Sequence, residues 1–137
     1  FVYNYLKVKK IMINGNGEQW RPFISVKDVC KVYSILTSKK PKSFICNLVA
    51  FNLKVKDLAE KIRRILNAPK AAIYYIRDNI DQRNYNVSNK RFKKIFSKFK
   101  FSKLKEDVGS LKSYYIKHKI KRDKNTVRMI FYKKKLF

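Results

Sequence analysis

Two arginines sit in surroundings suited to holding an anion. Arg21 follows the run Gly15-Asn16-Gly17-Glu18-Gln19-Trp20 and stands beside Pro22, whose ring fixes the local backbone. A guanidinium presents planar paired donors to phosphate oxygens and stays charged at any cellular pH. Arg83 closes the polar stretch Arg77-Asp78-Asn79-Ile80-Asp81-Gln82, which has no apolar periodicity and reads as a loop, the kind of segment that often carries ligand contacts. Taken singly, Arg21 also reads as a surface residue of a hairpin and Arg83 as a loop cation. Other reactive types offer less. Cys30 and Cys46 each lie in an apolar run without C-x-x-C spacing, so they read as small buried hydrophobes in a reducing compartment. His118, the sole histidine, lies at the start of a basic tail and reads as solvated.

Those side chains need elements to position them. Ile11 to Val26 reads as two short strands joined at Asn14-Gly15-Asn16-Gly17, a hairpin whose turn residues tolerate positive φ. Asp28 then stands near the N-terminus of a helix with Val29, Val32, Tyr33 and Leu36 on one stripe, ending near Pro41. The apolar run from Ser43 to Phe51, interrupted by Asn47, suits a strand covered on both faces. Val55, Leu58, Ala59, Ile62, Ile65 and Leu66 repeat at helical spacing before Pro69, and Ala71 to Ile76 is a third apolar strand. Ser88 is placed to cap a helix carrying Phe92, Ile95 and Phe96, and a last helix aligns Leu104, Val108, Leu111 and Tyr115, with Gly109 permitting close packing. Strands alternating with helices predict an α/β fold.

The chain has 137 residues, enough for one domain that buries about two thirds of its unfolded surface. Hydrophobic residues make up 45%, above the level at which a charged chain stays disordered for want of apolar surface. The formal charge of +26, from 35 Lys and Arg against nine Asp and Glu, sets up a field that attracts phosphates of almost any kind. This excess is mostly lysine spread evenly along the sequence, which favours compositional drift over a selected nucleic-acid surface. No signal peptide or span of eighteen apolar residues is present, so a cytoplasmic address is expected. The opening Phe1-Val2-Tyr3-Asn4-Tyr5-Leu6 is amphipathic from its first residue, as if entered mid-helix, and predicts a piece of a larger protein.

The segment Gly15-Asn16-Gly17-Glu18-Gln19-Trp20-Arg21-Pro22-Phe23-Ile24-Ser25-Val26-Lys27-Asp28 resembles the G-x-G-x-x-x-R-x-F/Y-I/V-x-V-x-D signature of the extended short-chain dehydrogenases, the NAD-dependent nucleotide-sugar epimerases and dehydratases. A second stretch, Asp81-Gln82-Arg83-Asn84-Tyr85-Asn86-Val87-Ser88, is similar to that family's D-x-R-x-Y element. Leu53 to Glu60 and Lys103 to Leu111 look like its later helices, so the likeness runs over residues 1–118 and leaves 119–137 as a basic tail of uncertain structure. The resemblance implies the C-terminal part of a Rossmann-type enzyme with a small substrate-binding lobe, formed by the hairpin and the last two helices, while the strand from Ser43 pairs with an absent sheet. By the same resemblance Arg21 and Arg83 bind the substrate diphosphate from one shared cleft. It implies a UDP-glucose 4-epimerase-like enzyme, NAD held by an absent N-terminal half, and a homodimer when complete.

The sequence departs from the family at Ser25, where histidine or tyrosine is common beside the nucleotide. The family's catalytic tyrosine and lysine, four residues apart, have counterparts by spacing in Tyr3 and Lys7, Tyr5 and Lys9, and Tyr115 and Lys119. Nine tyrosines in a lysine-rich chain make such matches expected by chance, and none follows a cofactor domain; no catalytic residue is assigned. Glycines at 15, 17 and 109 cannot form a G-x-x-G-x-x-G turn. The chain alone is therefore expected to be inactive. Two other readings stay open: a lysine-rich nucleic-acid-binding module, using its Tyr and Phe residues for stacking, and a non-catalytic remnant of the enzyme.

Overall fold

The computed structural model describes residues 1–39, 43–77 and 83–119. Its elements run in the order α1 (Val2–Val8), β1 (Ile11–Asn14), β2 (Trp20–Phe23), α2 (Val26–Lys39), β3 (Phe51–Lys54), α3 (Val55–Ile65), a 3-10 turn (Lys70–Ala72), β4 (Ile73–Ile76), α4 (Lys90–Ile95) and α5 (Leu104–His118). The expected α/β alternation is present, but the pairing differs from the sequence reading. No hairpin forms at Asn14 to Gly17. Instead β1 pairs in parallel with β4, Ile11 opposite Ile73 and Asn14 opposite Ile76, while β2 pairs antiparallel with β3, Trp20 opposite Lys54 and Phe23 opposite Phe51.

The reason lies in what the strands bury. Ile11 and Ile13 alternate along β1 and are both sealed from solvent, since a strand sends every second side chain to the same face. They join Leu58, Ala59 and Ile62 of α3, together with Leu66, Ala68, Ala72, Val2 and Val108, in one core. Helix α3 therefore lies on β1, and its N-terminus is fastened to the turn: the Lys56 N–H donates to the Gly17 carbonyl at 2.9 Å and the Val55 N–H to the Gln19 carbonyl at 3.1 Å. Gly17 has φ of 71°, and a Cβ there would meet the Lys56 Cβ at 2.9 Å, so the turn residues serve helix docking instead of a hairpin.

Ser43 to Val49 is not a strand; regular pairing begins only at Phe51. Ile45 in that run is 84% exposed, and Phe44 leaves the run to meet Phe96, with ring centroids 6.0 Å apart. Phe44 thereby joins a second, aromatic cluster around the buried Phe92, which touches Phe96, Phe99 and Phe101. Three further expectations are corrected. Gly109 has no atom near the position of a Cβ, so close packing does not require it. Asn89, not Ser88, occupies the N-cap of α4 and makes no side-chain cap bond, while the Ser88 hydroxyl one residue earlier accepts the Lys90 N–H at 3.4 Å. Cys30 and Tyr33 are exposed, because α2 buries Asp28 and Val32 and turns those neighbours to solvent. The expected lobe of hairpin and last two helices is likewise replaced: α5 packs on α1 and α3.

Asp28 is the buried charge of the molecule's described part. Its carboxylate accepts the Ser102 N–H at 2.8 Å and the Ser102 hydroxyl at 2.7 Å, which ties the start of α2 to the segment leading into α5. Ser25 adds a parallel tie, donating to Asp107 at 2.9 Å. Among the described residues no helix is long and apolar enough to cross a membrane, and no group of His, Cys, Asp or Glu could hold a metal. The basic tail, apart from Lys119, lies outside the described residues.

Candidate anion-binding site

Arg21 is the second residue of β2 and pairs in register with Leu53. Pro22 beside it faces Asn52 and contributes no N–H to the ladder. The short strand holds the Arg21 backbone while its side chain reaches out of the sheet. Nη1 of Arg21 donates to the carbonyl of Trp20 at 2.7 Å and to the carbonyl of Arg83 at 2.5 Å. The guanidinium also lies over the Tyr85 ring, 5.0 Å from its centroid, a placement in which the ring face attracts the cation. The Trp20 N–H donates to Asn84 Oδ1 at 2.9 Å. The two arginines, distant in sequence, thus meet: the Arg21 side chain seats the Arg83 backbone, and the Arg83 side chain is exposed.

Residues 83–89 form no regular element, yet side chains fasten them along their length. Asn52 Nδ2 donates to the Val87 carbonyl at 3.0 Å while Asn52 Oδ1 accepts the Val87 N–H at 2.9 Å. Asn47 donates to the Ser88 carbonyl at 3.2 Å, and Asn89 donates to the Val49 carbonyl at 2.7 Å. Asn47 therefore satisfies backbone, but backbone far away in sequence.

Just upstream of Arg21, Glu18 is held by two lysines: Lys54 at 2.9 Å and Lys56 closer still. The hydrogen bond from Lys56, then that from Lys54, keeps the Glu18 carboxyl below the usual carboxylate range. The same bond raises the Lys56 ammonium above its ordinary value. Glu18's charge is thereby matched locally by cations, and it does not cancel the field of the arginines. At the carboxyl ends of β1 and β4 a cavity of about 420 Å³ is lined by Gly15, Asn16, Tyr75 and Arg77, the edge of a parallel pair where open α/β sheets carry ligands.

Sequence reasoning missed Asn52 and the part played by Asn84. One signal was available for Asn52, because asparagine is depleted in strands and its presence inside one asks for a partner. Of the tyrosine and lysine pairs, Tyr3 and Tyr115 meet edge to face at 5.5 Å, and with Lys7 and Lys119 line a cavity of about 540 Å³ between α1 and α5. Ser25 points to Asp107.

No family model matches the chain, and no curated protein matches it. Solved structures do. The dTDP-glucose 4,6-dehydratase from Bacillus anthracis, in complex with NAD, aligns with a TM-score of 0.68 at 23% identity, over 85% of this chain and 37% of the enzyme. The UDP-N-acetylglucosamine 4-epimerase from Methanobrevibacter ruminantium, in complex with UDP-N-acetylmuramic acid, aligns with a TM-score of 0.68 at 22% identity, over 85% of this chain and 38% of the enzyme. A dTDP-glucose 4,6-dehydratase from Streptomyces venezuelae aligns with a TM-score of 0.66 at 14% identity, over 85% of this chain and 37% of the enzyme. The chain spans less than two fifths of the length of these neighbours. It has the mixed α/β arrangement of a part of the Rossmann-like extended short-chain dehydrogenase fold.

Proposed function

We propose that residues 1–118 are the substrate-binding portion of an NAD-dependent nucleotide-sugar epimerase or dehydratase, with 119–137 a separate basic tail. Arg21 and Arg83 hold the nucleotide diphosphate, and the reaction is of the UDP-glucose 4-epimerase kind. The observation that carries this reading is the meeting of the Arg21 guanidinium with residues 83–85, far apart in sequence and joined by a side-chain bond of 2.5 Å. Two cations on rigidly linked segments neutralise a dianion and fix its orientation, so that the attached sugar is presented in one pose.

The described residues do not fit a dinucleotide. A pyrophosphate cradle needs a glycine-rich turn between a strand and a helix N-terminus. Gly15 and Gly17 have positive φ, but the space above Gly17 is filled by Lys56 and Ile13. The NAD of this reading is bound by a separate half, of which the structural neighbours have the corresponding length, and no chemical step is assigned to residues of this chain. An apolar groove of about 440 Å³, lined by Phe23, Phe51, Leu58 and Val108 and rimmed by the exposed Val26, Leu111 and Tyr114, is where we place the contact with that half.

Isothermal titration with a nucleoside diphosphate sugar tests the reading. Saturable binding is expected, weakened about 10- to 150-fold by either Arg21→Ala or Arg83→Ala, since a charged hydrogen bond contributes about 1.5–3 kcal/mol. A bare polycation would instead bind oligonucleotides as well as the nucleotide sugar, lose affinity steeply with salt, and ignore either substitution.

A further inference from the structure

The diphosphate reading leaves open what holds Arg83 in place. Its segment is exposed from Arg83 to Asn86 and belongs to no helix or strand, so no ladder of backbone bonds fixes it. Two fastenings do. At one end stand the bonds from Arg21 Nη1 to the Arg83 carbonyl and from the Trp20 N–H to Asn84. Within the segment Asn52 makes a reciprocal pair with Val87, one donor and one acceptor. A carboxamide carries the same donor and acceptor as a peptide group, so the Asn52 side chain engages Val87 as the backbone of a neighbouring strand would. Asn52 is half-buried in β3, in register with Pro22 and therefore next to Arg21 in the sheet. One strand pair thus carries Arg21 directly and grips the Arg83 segment through Asn52.

Resting on the diphosphate reading, we infer that Asn52 is a positioning residue that holds the 83–89 strap, and with it the Arg83 guanidinium, in the anion-binding arrangement before any ligand arrives. Preorganisation of this kind removes the ordering cost from binding. When the strap opens, only the closed fraction binds, and apparent affinity falls by that fraction.

The probe is inorganic pyrophosphate, which reads the arginine pair without nucleoside contacts, titrated into the full chain. Amide exchange is followed at Val87 and, as a reference for global opening, at Ile62. Asn52→Ala is expected to speed exchange at Val87 with Ile62 unchanged, and to weaken pyrophosphate binding about three- to tenfold as the strap's closed population falls. Asn52→Asp keeps the acceptor for the Val87 N–H and loses the donor, so its exchange falls between the two. In an Arg83→Ala background Asn52→Ala is expected to cause no further loss, because a residue acting through Arg83 has nothing left to position. Unchanged exchange at Val87, or an equal proportional loss of affinity with and without Arg83, would overturn the inference while leaving the diphosphate reading intact. Equal pyrophosphate affinity for the parent chain and Arg83→Ala would overturn the diphosphate reading itself, and the positioning role with it.

Discussion

Replacing Asp28 by alanine separates two accounts of that residue. Its place near the start of α2 gives it a favourable interaction with the helix dipole of about 0.3–1 kcal/mol. The structure assigns it more, because the carboxylate is fully buried and accepts two short bonds from Ser102, at 2.7 and 2.8 Å. Hydrogen bonds to a charged group contribute about 1.5–3 kcal/mol each, and Ser102 is only half-buried, so water recovers part of the loss. Lys31, 3.5 Å away with a side chain 57% exposed, adds little. The expected cost of Asp28→Ala is about 3 kcal/mol, a large share of the total stability of about 5–15 kcal/mol of a natural domain. Urea unfolding followed by far-ultraviolet circular dichroism measures it. With a slope near 2 kcal/mol per molar, the midpoint falls by about 1.5 M. Asp28→Asn, which keeps an acceptor but offers a donor toward the Ser102 amide, recovers part of that. A midpoint within about 0.5 M of the parent chain, the range of the dipole effect alone, would refute the buried-tether account.

Three further outcomes are expected. Gly17→Ala destabilises by about 1–3 kcal/mol, since a side chain must adopt positive φ and collide with Lys56, whereas Gly109→Ala, with open space, stabilises α5 by about 0.5–1 kcal/mol; thermal melts of the two variants should move in opposite directions. Stability falls on acidification below about pH 4.5, because Arg63 and then Arg64 hold the Glu60 carboxyl at about 2 in the fold; its contribution is present above its ordinary value and is lost as pH drops toward 2. Glu60→Gln should flatten that part of a pH series of urea midpoints, and a series unaltered by the substitution would contradict the assignment. Finally, Tyr114→Ser and Leu111→Ser, both on exposed apolar side chains at the groove, should lower binding of a hydrophobic dye by the isolated chain without lowering its melting temperature.

The elements were legible where periodicity was strong. Helix α3, with Leu58, Ala59 and Ile62 on one buried face, could be read directly from spacing, and so could the stripe of α5 through Val108. Strand partners were not legible. Asn14-Gly15-Asn16-Gly17 is a strong local hairpin signal, but the pairing was decided by Ile11 and Ile13, which had to be buried under α3, and this placed β1 beside a strand far along the chain. The run from Ser43 failed for a related reason: its apolar residues serve as scattered anchors, such as Phe44 on the aromatic cluster, and not as one face of a ladder. At the candidate site the arginines stood out by motif and charge. The asparagines that hold them did not, because a carboxamide signals its role only through its partner. Val87 lies too far from Asn52 in sequence for spacing to suggest the pair.

The most direct measurement of the central claim is a nuclear magnetic resonance titration of the chain with UDP-glucose, following the side-chain guanidinium signals of Arg21 and Arg83. If the two residues hold a diphosphate, both signals shift together along one saturable curve, and Arg83→Ala weakens the shift at Arg21. If the lysine ammonium signals move across the whole surface while the two arginine signals stay in place, the ligand is attracted by net charge alone and the diphosphate site does not exist.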